Sequence, residues 1–171
     1  AVLTNRQEVA IDLETSDPDL KTRGSGSVIG NGKVVGVAVA SEGYQGYFPF
    51  DHEGGGNLQK KKVIQWLSNL CKSSSLKIFH NGMYDVCWIR AMGIEIKGDI
   101  VDTMTAASLI NENRMRYDLN SLGREYIGYG KDEAALIAGA KEWGIDPKAE
   151  MWRLPAMYVG SYAERDAEVT Y

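Results

Sequence analysis

The first fifty residues alternate between apolar and polar positions with the two-residue period of β-structure. Val9 to Glu14 reads Val-Ala-Ile-Asp-Leu-Glu. Successive strand side chains point to opposite faces, so Ile11 and Leu13 share a core face while Asp12 and Glu14 share the other. A strand is therefore expected over Glu8–Glu14. Lys33–Ala40 is almost wholly apolar and predicts a buried strand, with a second over Gln45–Phe50 after the turn Ser41-Glu42-Gly43. Beyond Gly54-Gly55-Gly56 the period becomes helical. Leu58, Val63, Ile64, Trp66, Leu67 and Leu70 mark the buried side of a helix that begins near Asn57.

Shorter segments follow. Leu76–Phe79 is a core strand that stops at His80-Asn81-Gly82, and a helix is expected from Met83 to Met92, closed by Gly93. Ile100-Val101 is a further strand. A helix over Thr103–Ile110 takes Asp102 or Thr103 as its cap, and Asp118 is placed to cap another over Leu119–Ile127, ended by Gly128. Helix over 132–142 fits the pattern, and Pro155 opens a last helix that runs to the end. Two segments resist this reading, 131–153 and the Asp-, Ser- and Gly-rich 16–32. The second is long for a two-strand connection and is expected to be a mobile loop beside a site. Strands first, then strands alternating with helices, define an α/β fold with a mixed five-stranded sheet flanked by helices.

Composition narrows the class. At 171 residues the chain is one domain of ordinary size, with 44% hydrophobic and 25% charged residues. Its longest apolar runs fall well short of the roughly 20 residues that cross a bilayer, so no membrane association is expected. The N-terminus, Ala1-Val2-Leu3-Thr4-Asn5-Arg6, has no Met and none of the regions of a signal peptide. Cys71 and Cys87 fit no disulfide framework or metal spacing; they read as small core residues in a reducing compartment. A net charge of −4 argues against a protein that coats nucleic acid, but not against one that cuts it, because bound cations reverse the local sign. The run Lys60-Lys61-Lys62 is read as a solvated helix face, and Arg114, Arg116 and Arg124 are the other clustered cations.

Three groups of residues carry chemistry. Asp12 and Glu14, side by side on one strand face, repel each other, and a divalent cation with oxygen ligands offsets that repulsion. Asp85 falls in the first turn of the helix after His80-Asn81-Gly82, where the helix N-terminus favours an ionised carboxylate. Tyr162 and Asp166 are four residues apart on one helix face, and Tyr158 and Val169 continue that face. Each group alone has an ordinary structural explanation. Glycine patterns point nowhere: Gly24-x-Gly26 lacks the third glycine of a dinucleotide fingerprint, and Gly130-Lys131 is followed by Asp132 rather than by the Ser or Thr of a phosphate loop.

Taken in order, Asp12-Leu13-Glu14-Thr15, Asn81-x-x-Tyr84-Asp85 and Tyr162-Ala163-Glu164-x-Asp166-Ala167-x-Val169-Thr170 resemble the three motifs of the DEDD 3′–5′ exonucleases, in the subgroup that carries a tyrosine. The likeness is greatest to the proofreading domains of family A DNA polymerases of bacterial and phage type. Asp102-Thr103-Met104 and Tyr117-Asp118-Leu119-x-Ser121-Leu122 match as well, so the resemblance spans essentially the whole chain. Segments 16–32 and 131–153 look longer than the family needs.

This resemblance implies a ribonuclease H-like fold and hydrolysis of phosphodiester bonds at a 3′ end. Two Mg²⁺ or Mn²⁺ ions would be held by Asp12, Glu14, Asp85 and Asp166, with Asp12 between them. Glu14 and Asp166 would serve the metal that generates hydroxide, and Asp85 the other. Tyr162, with Glu14, would orient the attacking water. Thr15, Asn81 and Tyr84 would contact the terminal nucleotides of a single-stranded or frayed DNA end. His80, a rival ligand, suits such hard cations less well than oxygen donors do. The implied place of action is the cytoplasm of a bacterial cell or phage-infected host. The missing Met, and an end inside the last helix, suggest a domain excised from a larger polymerase whose polymerase domain is its partner. RNA trimming by the same superfamily is the first alternative, and a catalytically silent DNA-binding module the second, disfavoured because all four acids and the tyrosine are present.

Overall fold

Strand β1 (Glu8–Ser16) is the centre of the sheet and sorts its side chains between two cores. Val9, Ile11 and Leu13 enter one apolar cluster, whereas Ala10 enters the other. The structure, a computed structural model, describes residues 3–171, so Ala1 and Val2 of the N-terminal reading lie outside the described residues. β1 pairs antiparallel with β2 (Lys33–Ser41) and parallel with β4 (Leu76–Phe79). β3 (Tyr44–Pro49) extends the antiparallel side and β5 (Ile100–Asp102) the parallel side, giving the order β3-β2-β1-β4-β5. The mixed five-stranded sheet expected from the sequence is the one observed.

The odd-numbered face of β1 is built of large residues. It packs, with Val37, Val39 and Phe79, on α2 (Lys60–Lys72) and α3 (Gly82–Ala91) through Leu67, Leu70, Trp88 and Ile89. The opposite face is built of small ones. Register sets Ala40 beside Ala10, Ala38 beside Asp12 and Gly36 beside Glu14. These short side chains let α7 (Ala156–Thr170) lie against the sheet through Val159, Tyr162, Ala163 and Ala167, with α6 (Ala134–Trp143) outside it. A Cβ on Gly36 would stand 2.2 Å from the Tyr47 hydroxyl, so the strand needs glycine there. Close approach of α7 is what brings its acid to those of β1.

Three expectations need correction. Helix α2 starts at Lys60 rather than near Asn57, and Leu58 precedes it, 49% exposed, with its N–H on the Pro49 carbonyl. Lys60-Lys61-Lys62 are exposed, as expected, and Lys60 pairs with Asp51 at 2.6 Å. Segment 16–32 is folded where a mobile loop is expected: β1 runs on to Ser16, and a helical turn, α1, spans Gly26–Ile29. Asp17 ties it down, both carboxylate oxygens accepting the Gly26 N–H at 3.0 and 3.1 Å. Alternation of apolar residues could not reveal this, because the ties are polar side chains acting across nine residues, from Asp17, and twelve, between Asn31 and Asp19. Third, Cys71 is buried but Cys87 only partly so; both are free.

The remaining helices lie close to expectation. Asp102 caps α4 (Thr103–Ile110), accepting from Met104 and Thr105, and Asp118 caps α5 (Leu119–Tyr126), accepting from Ser121. Among the described residues no helix is long and apolar enough to cross a membrane.

Candidate active site

Pairing with β4 ends at Ala10, so beyond that point the edge of β1 on this side is bare. Asp85, in the first turn of α3, fills the gap by accepting the Leu13 N–H at 3.0 Å. It also joins its carboxyl to the strand that carries Asp12 and Glu14. The turn before α3 is tight: Asn81 sits in the left-handed region at φ 59°, the one non-glycine residue with positive φ among those described. Asp102 holds that turn, taking the Asn81 and Gly82 N–H groups at 3.1 and 2.9 Å while it caps α4. A strained backbone at the rim of a cleft is a feature of functional turns.

Tyr162 and Asp166 come in from α7, both buried. One oxygen of Asp166 pairs with the Lys131 ammonium, while the other, Oδ1, is buried without a hydrogen-bond partner. Lys131 also donates to the Tyr162 hydroxyl at 3.3 Å. Sequence reasoning missed this lysine, weighing Gly130-Lys131 only as a failed phosphate loop. Nothing in its spacing marks it. It is positioned from α5, where the Asn120 side-chain oxygen accepts the Lys131 N–H at 3.2 Å. A buried ammonium needs a carboxylate partner, and only the folded arrangement reveals which one it has.

A cleft of about 680 Å³ opens over these groups, lined by Asp12, Asn81, Tyr84, Asp85, Lys131 and Asp166 among others. Glu14 and Tyr162 are buried beneath it. Thr15 opens onto an adjoining depression with Asp17, and the two hollows share Tyr84 and Lys148. A register shift between Glu14 and Thr15 turns the strand there, and the Thr15 hydroxyl meets the Tyr84 hydroxyl at 2.8 Å. Tyr84 also donates to Asp17 at 2.9 Å. His80, the rival ligand, lies in the cleft but is bound to Thr103 at 2.9 Å.

Electrostatics separate this site from ordinary surface acids. Burial, then the repulsion of Asp166 and Asp85, pushes Glu14 up to about 8. Asp85 rises to about 7, mainly by burial, although its bond from Leu13 pulls the other way. Burial and three neighbouring acids push Asp12 well above the usual range, and burial raises Asp166 despite Lys131. Burial opposes the Lys131 charge, but Asp166, Asp12 and Glu14 more than offset it, so its ammonium is held above the ordinary lysine range. Three carboxylates, Asp12, Glu14 and Asp166, thus act on one ammonium. Acids with raised folded-state pKa values bind more protons folded than unfolded from about pH 4 to 8, so stability falls as pH rises through that window. In EDTA the chain should therefore melt at a lower temperature at pH 8 than at about pH 5.5. With about 1.4 kcal/mol per pKa unit and roughly 2–4 °C per kcal/mol in a chain this long, the drop is on the order of 5 °C or more. Mg²⁺ at pH 8 should restore it. Thermal melts at both pH values check this, and a flat profile in EDTA contradicts it.

The donor set suits hard divalent cations: it is all oxygen, mutually repulsive, and includes the orphaned Asp166 Oδ1. Yet among the described residues no three carboxylate, imidazole or thiol groups are gathered closely enough to hold a metal ion as they stand.

A mixed sheet in the order β3-β2-β1-β4-β5, with α7 against its small-residue face, is a ribonuclease H-like fold. The catalytic core of RRP6 from Trypanosoma brucei has this fold, with a TM-score of 0.65 and 20% identity over 99% of this chain and 39% of that one. Brucella melitensis NrnC, solved with bound Mg²⁺, shares it with a TM-score of 0.53 and 18% identity over 77% of this chain and 58% of that one. The 3′-5′ exonuclease family model of family A DNA polymerases matches residues 1–171, and the chain belongs to that family. A DNA-directed DNA polymerase of Pseudomonas phage M6 is 39% identical over 168 residues, 95% of this chain. The chain spans 25% of that polymerase's length.

Proposed function

We propose that this chain removes nucleotides one at a time from the 3′ end of DNA, releasing nucleoside monophosphates, and proofreads for a DNA polymerase of which it is one domain. The observation that carries this reading is the convergence of Asp12, Glu14, Asp85 and Asp166, all raised in pKa chiefly by burial, at a cleft also lined by Arg124, Lys131 and Lys148. Likeness to a phage polymerase supports DNA as the polymer. Asp12, Glu14 and Asp166 would hold one divalent cation and Asp12 with Asp85 a second. Such cations supply Lewis-acid stabilisation of charge on the attacking and leaving oxygens.

The chain's own residues do the rest. Burial and the charges of Glu14 and Asp166 raise the Tyr162 phenol far above its ordinary value, so it stays protonated at working pH and serves as a hydrogen-bonding group, not a base. With Glu14 it would orient the attacking water, and the substrate phosphates would lie along Lys131 and Lys148. Thr15, Asn81 and Tyr84 would meet the terminal nucleotides, with Tyr84 already fixed between Thr15 and Asp17. Tyr162→Phe should slow hydrolysis by roughly 10–100-fold, as expected for loss of orientation, with Mn²⁺ affinity unchanged. Single-turnover rates beside calorimetric Mn²⁺ binding check this; loss of metal binding would make Tyr162 something other than a positioning group.

Proofreading itself is tested by comparing duplexes with paired and mismatched 3′ ends. A paired end must fray before it reaches the cleft, so the mismatched end should be shortened several-fold faster; equal rates would count against this role.

A further inference from the structure

The acid cluster already contains a cation. Lys131 brings its ammonium among Asp12, Glu14 and Asp166, paired with Asp166 and 3.3 Å from the Tyr162 hydroxyl. It is the one basic group within reach of Asp166 among the described ion pairs, and its side chain is mostly buried. The loop that carries Lys131 is anchored through its backbone by Asn120, so the flexible four-carbon stem is the part free to move.

Resting on the reading of this site as a metal-dependent nuclease centre, we propose that Lys131 is the resident counter-ion of the acids before a metal ion binds. Its ammonium takes the place that the cation shared by Asp12, Glu14 and Asp166 takes in the active enzyme, and that cation binds by displacing it. In the apo state the ammonium relieves repulsion among buried acids and keeps the site from collapsing or unfolding. Once displaced, the side chain swings into the same cleft, which it lines beside Arg124 and Lys148, facing the path of the substrate's phosphates. Binding a metal ion is then an exchange of one cation for another, and metal affinity is set lower than the four carboxylates alone would give.

The test is Mn²⁺ binding to the whole chain without nucleic acid, measured by calorimetry for the wild type, Lys131→Met and Lys131→Arg. Removing a like charge from the binding position should tighten the first Mn²⁺ by roughly tenfold or more in Lys131→Met. Lys131→Arg, which keeps the charge, should stay near the wild type. In EDTA, Lys131→Met should melt at a lower temperature than the wild type and gain more on adding Mn²⁺. Should Lys131→Met fail to fold without metal, the wild type alone still decides. Acylation of Lys131 by an amine reagent, read by mass spectrometry, should rise several-fold when Mn²⁺ is added. Unchanged or weaker Mn²⁺ affinity in Lys131→Met, or unchanged labelling of Lys131, overturns the exchange. If neither the wild type nor Lys131→Met takes up Mn²⁺ at all, the metal-dependent reading of the site fails with it, a result distinct from equal affinities.

Discussion

Replacing Asp12 with asparagine is expected to abolish hydrolysis while making the metal-free chain more stable. Asp12 stands at the centre of the cluster. Burial raises its pKa well above the usual range, and Glu14, Asp85 and Asp166 each raise it further. An isosteric neutral amide removes that repulsion, so at pH 8 in EDTA Asp12→Asn should melt several degrees higher than the wild type. The same change removes the carboxylate expected to bridge two cations. Their stabilisation of the transition state is worth several kcal/mol, so activity should fall by at least about 10³-fold. A gain in stability joined to a loss of activity separates a site held under strain from a merely structural acid. Melting curves in EDTA and single-turnover rates with Mg²⁺ check both halves. Lower stability with activity intact would make Asp12 a structural residue.

Asp85 should behave differently, because it does two things at once. Its carboxylate accepts the Leu13 N–H at 3.0 Å, on the stretch of β1 that β4 leaves unpaired. Alanine there leaves a buried N–H without a partner, at a cost of about 1–3 kcal/mol, or a Tm drop of roughly 2–12 °C. Asparagine keeps an accepting oxygen and loses only the charge. Both substitutions are expected to reduce hydrolysis by roughly 10²-fold or more through loss of a cation ligand, but only Asp85→Ala should destabilise the fold. Equal Tm values for the two variants would mean the Leu13 bond contributes nothing.

The contrast between these two acids shows what a sequence can and cannot disclose here. Strand β1 is legible because Val9, Ile11 and Leu13 alternate with Ala10, Asp12 and Glu14, and period two is a local property. The companion fact, that Ala38 and Gly36 stand opposite the two acids and admit α7, follows from pairing register and has no local signature. Helices α4 and α5 are legible through Asp102 and Asp118, whose caps act within three residues. That Asp102 also holds Asn81 and Gly82 is not, because that contact crosses twenty residues of chain. Segment 16–32 misleads for the same reason, since its ties, such as Asp17 to Gly26 and Asn31 to Asp19, span nine and twelve residues. Asp12, Glu14, Asp85, Tyr162 and Asp166 stand out through resemblance to a family. Lys131 has no such marker, and only folding puts it against Asp166.

These residues are proposed to shorten DNA from its 3′ end with divalent cations. A time course on 5′-labelled single-stranded DNA and on RNA of the same sequence, with Mg²⁺ and with EDTA, tests this most directly. The expected result is a ladder of DNA shortened stepwise from the 3′ end with Mg²⁺, none in EDTA, none with Asp12→Asn, and slower attack on RNA. Internal cuts, shortening from the 5′ end, or undiminished cleavage in EDTA would contradict it.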